Sequence, residues 1–173
     1  MIKDTSKTVK LCWAVFIIYI IGLSYFTFFA EALGRGSIEA GTAVKRFNLI
    51  PFTEIRRFWV FRRELGFRAC FLNLAGNVLC FIPCGALLPV ISRRCKRALG
   101  AVTVGLLISF FIECTQLIFR VGSFDVDDIL LNTIGAALGF VLFRLIRSGR
   151  DKRRLKERRK HVSIRKVSAD KKR

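Results

Sequence analysis

Four stretches of about twenty apolar residues dominate this sequence and leave little choice of fold. They run at about residues 11–30, 69–91, 98–119 and 129–146. A bilayer core about 30 Å thick is crossed by roughly 20 residues at the helical rise. Every backbone polar group inside that core must be bonded within the chain, so each stretch is expected to be a helix. The charges lie elsewhere: 31 Lys or Arg stand against 12 Asp or Glu, a formal charge of +19 in a chain that is 53 % apolar, and they sit mostly between and after the apolar stretches. That segregation excludes an ordinary soluble enzyme. It also argues against nucleic-acid binding, which needs basic residues on a folded soluble surface with its own core. The expected fold class is an all-α integral membrane protein, a four-transmembrane-helix bundle over 1–146. An interfacial helix in the first outer loop and a disordered basic tail over 147–173 complete it.

Lys3, Lys7 and Lys10 precede the first stretch, and Ala30-Glu31-Ala32 imitates a signal-peptide cleavage site. The apolar run of about 20 residues is longer than the roughly 7 to 15 of a signal core, so a retained span is expected. Orientation follows from the basic residues near span ends. The face shared by the N-terminus, the loop Arg93–Arg97 and the tail carries 21 Lys or Arg; the other carries nine, eight of them in the loop 31–68 beside four Glu. Both termini are therefore expected in the cytoplasm, with the protein multi-pass in the cell membrane. The tail has few apolar residues and no aromatic, too little to fold alone, and reads as an anchor on anionic inner-leaflet lipid. Gly135 and Gly139 have the spacing of a small-xxx-small helix-packing motif. Five cysteines fall inside spans and Cys95 in the cytoplasmic loop, without a C-x-x-C, and the single histidine, His161, is far off in the tail. Small packing residues fit this pattern better than zinc or disulfide chemistry.

Polar residues inside spans are costly and need a partner or a role. Glu113, Gln116 and Arg120 fall at i, i+3 and i+7, within one narrow helical face. Asp125, Asp128 and Asn132 repeat that spacing, and Asn73 and Asn77 form a third stripe at i and i+4. On the assigned topology all three stripes start at the outer surface, with Glu113 roughly 9 Å below it. A polar pocket opening outward is the economical inference; interhelical glue is the alternative. Asp127 points away from Asp125 and Asp128 on a helix and reads as a solvated or N-terminal residue favoured by the helix dipole. In the long loop, Phe47 to Phe52 reads as an apolar turn. The following stretch to Phe67 mixes Ile55, Phe58, Trp59, Phe61 and Leu65 with Arg56, Arg57, Arg62 and Arg63, which fits a helix lying on the outer leaflet.

Taken together, Asn48-Leu49-Ile50-Pro51-Phe52, Asn73-Leu74-Ala75-Gly76-Asn77, Phe81-Ile82-Pro83, Glu113-Cys114-Thr115-Gln116, Phe124-Asp125-Val126-Asp127-Asp128 and Asn132-Thr133-Ile134-Gly135 resemble the VanZ-like family. The resemblance covers about residues 10 to 146, in order and with the family's spacing, and departs from it only at Cys84, where an aromatic is commoner after the proline. It implies a bacterial membrane protein of a family named for an accessory protein that raises resistance to teicoplanin. It supplies no mechanism, so the candidate site (Asn73, Asn77, Glu113, Gln116, Arg120, Asp125, Asp128 and Asn132, with the loop motif Asn48 and Pro51) rests on helical spacing.

Two readings of function follow. In the first, a non-enzymatic envelope protein binds a lipid or lipid-linked cell-wall component in the outward pocket, with membrane lipids as its neighbours and no cofactor. In the second, an intramembrane enzyme uses Glu113 as general acid or base, Asp125 and Asp128 to hold a divalent cation or orient water, and Arg120 to bind phosphate. A transporter ranks last, because four spans show no internal repeat.

Overall fold

The computed structural model describes residues 3–34, 47–61, 63, 67–119 and 123–170. Five α-helices account for nearly all of them: α1 (Lys3–Gly34), α2 (Thr53–Val60), α3 (Phe67–Ile91), α4 (Ala98–Phe119) and α5 (Val126–Asp170). A single 3-10 turn, Arg94–Lys96, joins α3 to α4, and two-residue strands β1 (Phe47–Asn48) and β2 (Phe124–Asp125) precede α2 and α5. Helices α1, α3, α4 and α5 are long and apolar enough to cross a membrane. The protein is an all-α integral membrane protein, and each expected span falls inside one of these four helices.

The centre of the bundle is the pairing of α3 with α5; α4 packs on α5, and α1 rests on α3. Small residues make that pairing close. A Cβ at Gly135 would overlap the carbonyl of Val78, one at Gly139 the carbonyl of Ile82, and one at Gly85 the backbone of Ala136. The glycine pair with packing-motif spacing is thus the contact face of α5. Phe81, Cys84, Leu88, Ala136 and Phe140 fill the seam around it. Tyr19 ties α1 on by donating its hydroxyl to the carbonyl of Cys80 at 2.6 Å. Large apolar side chains such as Ile18, Ile21, Phe111 and Leu138 remain exposed around the bundle, where lipid rather than water is their natural solvent.

Two expectations need correction. The tail, expected to be disordered, is helical as far as Asp170: α5 runs unbroken through the basic segment, with residues 147–159 exposed. Lack of a core does not prevent a helix whose hydrogen bonds are local and whose costly nucleus is already supplied by the span before it. The segment holds no proline, is rich in the good helix formers Lys and Arg, and places Arg147 3.9 Å from Asp151 one turn on. The helix of the first loop is also shorter than the stretch to Phe67, ending at Val60.

Overpacking the α3–α5 seam should be costly. Gly139→Leu is expected to lower stability by about 1–3 kcal/mol, read as a lower Tm of the detergent-purified protein. Gly22→Leu, where a Cβ meets nothing within 4 Å, should leave Tm nearly unchanged; equal losses would mean the seam is not close-packed.

Candidate functional site

At one end of the bundle the start of α3, the end of α4 and the start of α5 meet the loop that carries α2. The loop is fastened first through its backbone. β1 pairs in parallel with β2, Phe47 opposite Phe124 and Asn48 opposite Asp125, and the Phe124 ring packs edge-on against Phe110 of α4 at 5.9 Å between centroids.

Side chains then bond across this junction. Asn48 donates its amide to Asp125 Oδ1 at 3.0 Å. The same oxygen accepts the backbone N–H of Asp127 at 2.8 Å, so Asp125 caps α5 and the helix begins at Val126 rather than near Ile129. Glu113 Oε2 in turn accepts the backbone N–H of Asp125 at 2.9 Å. On the neighbouring helix Asn77 donates to Asp128 Oδ1 at 2.5 Å. Deeper in the bundle Asn132 donates to Ser109 Oγ at 2.8 Å, joining α5 to α4. Glu113, Gln116, Asp125 and Asn132 are all buried.

Of the two readings of Asp127, the N-terminal one holds, since it lies in the first turn of α5; the solvated one does not, since it is 0 % exposed. Its carboxylate accepts the backbone N–H groups of Phe52 at 2.5 Å, Glu54 at 2.8 Å and Ile55 at 3.3 Å. Helix α2 has no cap of its own: Phe52 at its N-cap supplies no side-chain acceptor, and the Thr53 hydroxyl is turned back to the Ile50 carbonyl. Asp127 therefore satisfies the open N-terminal donors of α2 from another helix. Phe52 itself sits in the left-handed region, φ 68°, a conformation costing a bulky residue roughly 1–2 kcal/mol; the bond from its N–H to Asp127 helps hold it there.

Asn77, Glu113, Asp125 and Asp128 thus lie at one end of the bundle, and Asn48 reaches Asp125 from the loop. Gln116 lies on the buried face of α4 without a side-chain hydrogen bond among the described residues. Pro51 is exposed in the turn before α2. Asn73 lies one turn before Asn77 on α3; its side chain, and Arg120 and Arg62 altogether, fall outside the described residues. Sequence reasoning missed Ser109 and Asp127. Ser109 carried a signal, since it precedes Glu113 by four residues and shares its face. Asp127 carried one only in combination with an uncapped helix elsewhere in the chain.

Chemically, the carboxylates of Glu113, Asp125, Asp127 and Asp128 act here as acceptors for N–H groups. Among the described residues no three acidic, histidine or cysteine side chains are grouped to hold a metal ion. An open groove of about 580 Å³ lies on α2 and its turn, lined by Ile50, Pro51, Phe52, Thr53, Arg56, Arg57, Val60 and Phe61.

A four-span helical membrane protein whose buried acids clamp a returning loop at one end is the class these features define. Residues 16–147 match the family model described as VanZ/LLP1, and the chain belongs to that family. It is 35 % identical over 98 residues to the curated "Protein VanZ" of Enterococcus faecium, covering 57 % of this chain and 52 % of that one. The chain thus aligns with about half the length of that relative. No solved structure matches it.

The clamp predicts two outcomes. Asp127→Ala should free α2, raising protease cleavage within residues 47–61 and costing about 2 kcal/mol of stability; unchanged cleavage would mean that the cap does not hold the loop. A double-mutant cycle between Asn77→Ala and Asp128→Ala, read by thermal unfolding, should depart from additivity by about 0.5–3 kcal/mol.

Proposed function

We propose that this chain is a non-enzymatic protein of the bacterial cell envelope that alters susceptibility to glycopeptides such as teicoplanin. It does so by engaging a lipid or lipid-linked cell-wall component at the end of the bundle where the polar residues gather. The observation that carries this reading is the clamp itself: Asp125 and Asp127 hold the loop against the bundle and leave apolar and arginine side chains of α2 exposed. The engagement of Glu113, Asp125, Asp127 and Asp128 with N–H donors supports binding rather than catalysis. By their spacing in the sequence Asn73, Gln116 and Arg120 belong to the same polar set, with Asn132 one turn beyond Asp128 and with Asn48 and Pro51 in the loop.

In this reading the polar end faces outward and both termini lie in the cytoplasm. Support comes from the 21 to nine division of basic residues between the two faces. Family membership and the likeness to the curated VanZ support the link to glycopeptides.

Expression in a susceptible host is expected to raise the teicoplanin concentration needed to stop growth, and Asp128→Ala and Asp127→Asn should lose that effect while still inserting. An unchanged concentration with the wild-type chain in the membrane would reject the envelope role. Orientation is tested separately. Cys95 is buried, so a Lys96→Cys variant without other cysteines, at an exposed position, is the better reporter. A membrane-impermeant thiol reagent should label it only after the cells are opened; labelling of intact cells would reverse the topology.

A further inference from the structure

Helix α2 sets Phe52, Arg56 and Val60 at i, i+4 and i+8, an exposed stripe in which a guanidinium stands between two apolar side chains. Ile50, Trp59 and Phe61 are exposed around it. Such a surface suits the boundary between hydrocarbon and headgroups, where apolar side chains enter the acyl region and arginines stay level with phosphate. The nearby acids among the described residues already have partners. Glu54 pairs with Arg57 at 3.1 Å, and both oxygens of Asp127 accept N–H groups of α2. Arg56 has no acidic partner among the described residues. Arg57 lies over the Phe58 ring and uses one of its nitrogens on Glu54, which leaves further donors of its planar fork. Both arginines line the groove of about 580 Å³, a volume within the roughly 300–1,000 Å³ of small-molecule sites.

We propose that this groove binds the phosphate of a membrane lipid, with Arg56 and Arg57 on the phosphate oxygens and Ile50, Phe52 and Val60 on the first carbons of the hydrocarbon. The proposal deepens the reading above by naming what the exposed loop recognises, and it rests on that reading for its place in the envelope. Paired guanidinium groups suit phosphate because they combine charge with fixed, planar hydrogen-bond geometry. The apolar rim would distinguish a lipid-borne phosphate from a free one. Because Asp127 fixes α2 to the bundle, the two arginines are held ready rather than ordered by the ligand.

The test uses the full chain in neutral detergent carrying Trp13→Phe, which leaves Trp59, the chain neighbour of the groove residue Val60, as the sole tryptophan. Dioctanoyl phosphatidic acid should change its emission saturably. Dioctanoylglycerol, with the same chains and no phosphate, and inorganic phosphate, with no chains, should each bind at least about tenfold more weakly. Combined Arg56→Gln and Arg57→Gln should weaken phosphatidic acid binding about 10- to 100-fold, as expected for lost charge-assisted hydrogen bonds, without lowering Tm, because both side chains are exposed. Equal binding of dioctanoylglycerol, equal binding of inorganic phosphate, or unchanged affinity in the double variant would each overturn the proposal. The assay contains no glycopeptide. Binding without any change in teicoplanin susceptibility would support the groove and overturn only the envelope role, whereas loss of binding would overturn the groove alone.

Discussion

Hydrogen-bond donors near the end of a membrane bundle have little water to fall back on, and the arrangement of this protein's polar end follows from how they are satisfied. Helix α2 begins in a turn whose own side chains provide no cap, and a buried carboxylate from the first turn of α5 takes its N–H groups. That one placement of Asp127 fixes where the loop can lie, and the short pairing of β1 with β2 agrees with it. Asp125 and Glu113 then follow in sequence, each accepting a backbone N–H that the placement leaves buried. The acids serve as acceptors that let irregular backbone rest against the spans. Non-helical backbone is tolerated near membrane depth only where the protein itself supplies such partners.

Much of the fold was legible in the sequence because the membrane sets a length that is independent of packing detail. The four spans, the role of Gly135 and Gly139, and the position of Asn77, Glu113, Asp125 and Asp128 at one end of the bundle all follow from counting along a helix. The role of Asp127 did not follow. A helical wheel correctly turned it away from Asp128, but says which way a side chain points and not what stands there. Its partner is a backbone segment more than seventy residues earlier in the chain, and nothing local announces that return. The tail shows a different limit. Composition showed that residues 147–173 form no core, and absence of a core was equated with absence of structure, although a helix continued from a span needs no nucleus of its own.

The same counting explains which residues share a role and which only share a region. Asn132 and Ser109 bond to each other across α4 and α5, apart from the loop clamp, and bind helix to helix in the manner of interhelical amides. Asn48, Asp125 and Asp127 instead bind loop to helix. Both descriptions considered from the sequence, glue and site, therefore apply, to different members of one stripe of residues. Membership of the VanZ/LLP1 family covers all of them, since residues 16–147 span the loop and every polar stripe.

The continuity of α5 gives this small protein a long rod. From Val126 to Asp170 it has 45 residues, about 67 Å at the helical rise and more than twice the thickness of a bilayer core of about 30 Å. Its first turn is gripped by the loop, while its far half is free of packing along residues 147–159. The seam around Gly135 and Gly139 holds the spanning part of the helix, so the basic segment is carried clear of the packed span at the end of the bundle opposite the clamp.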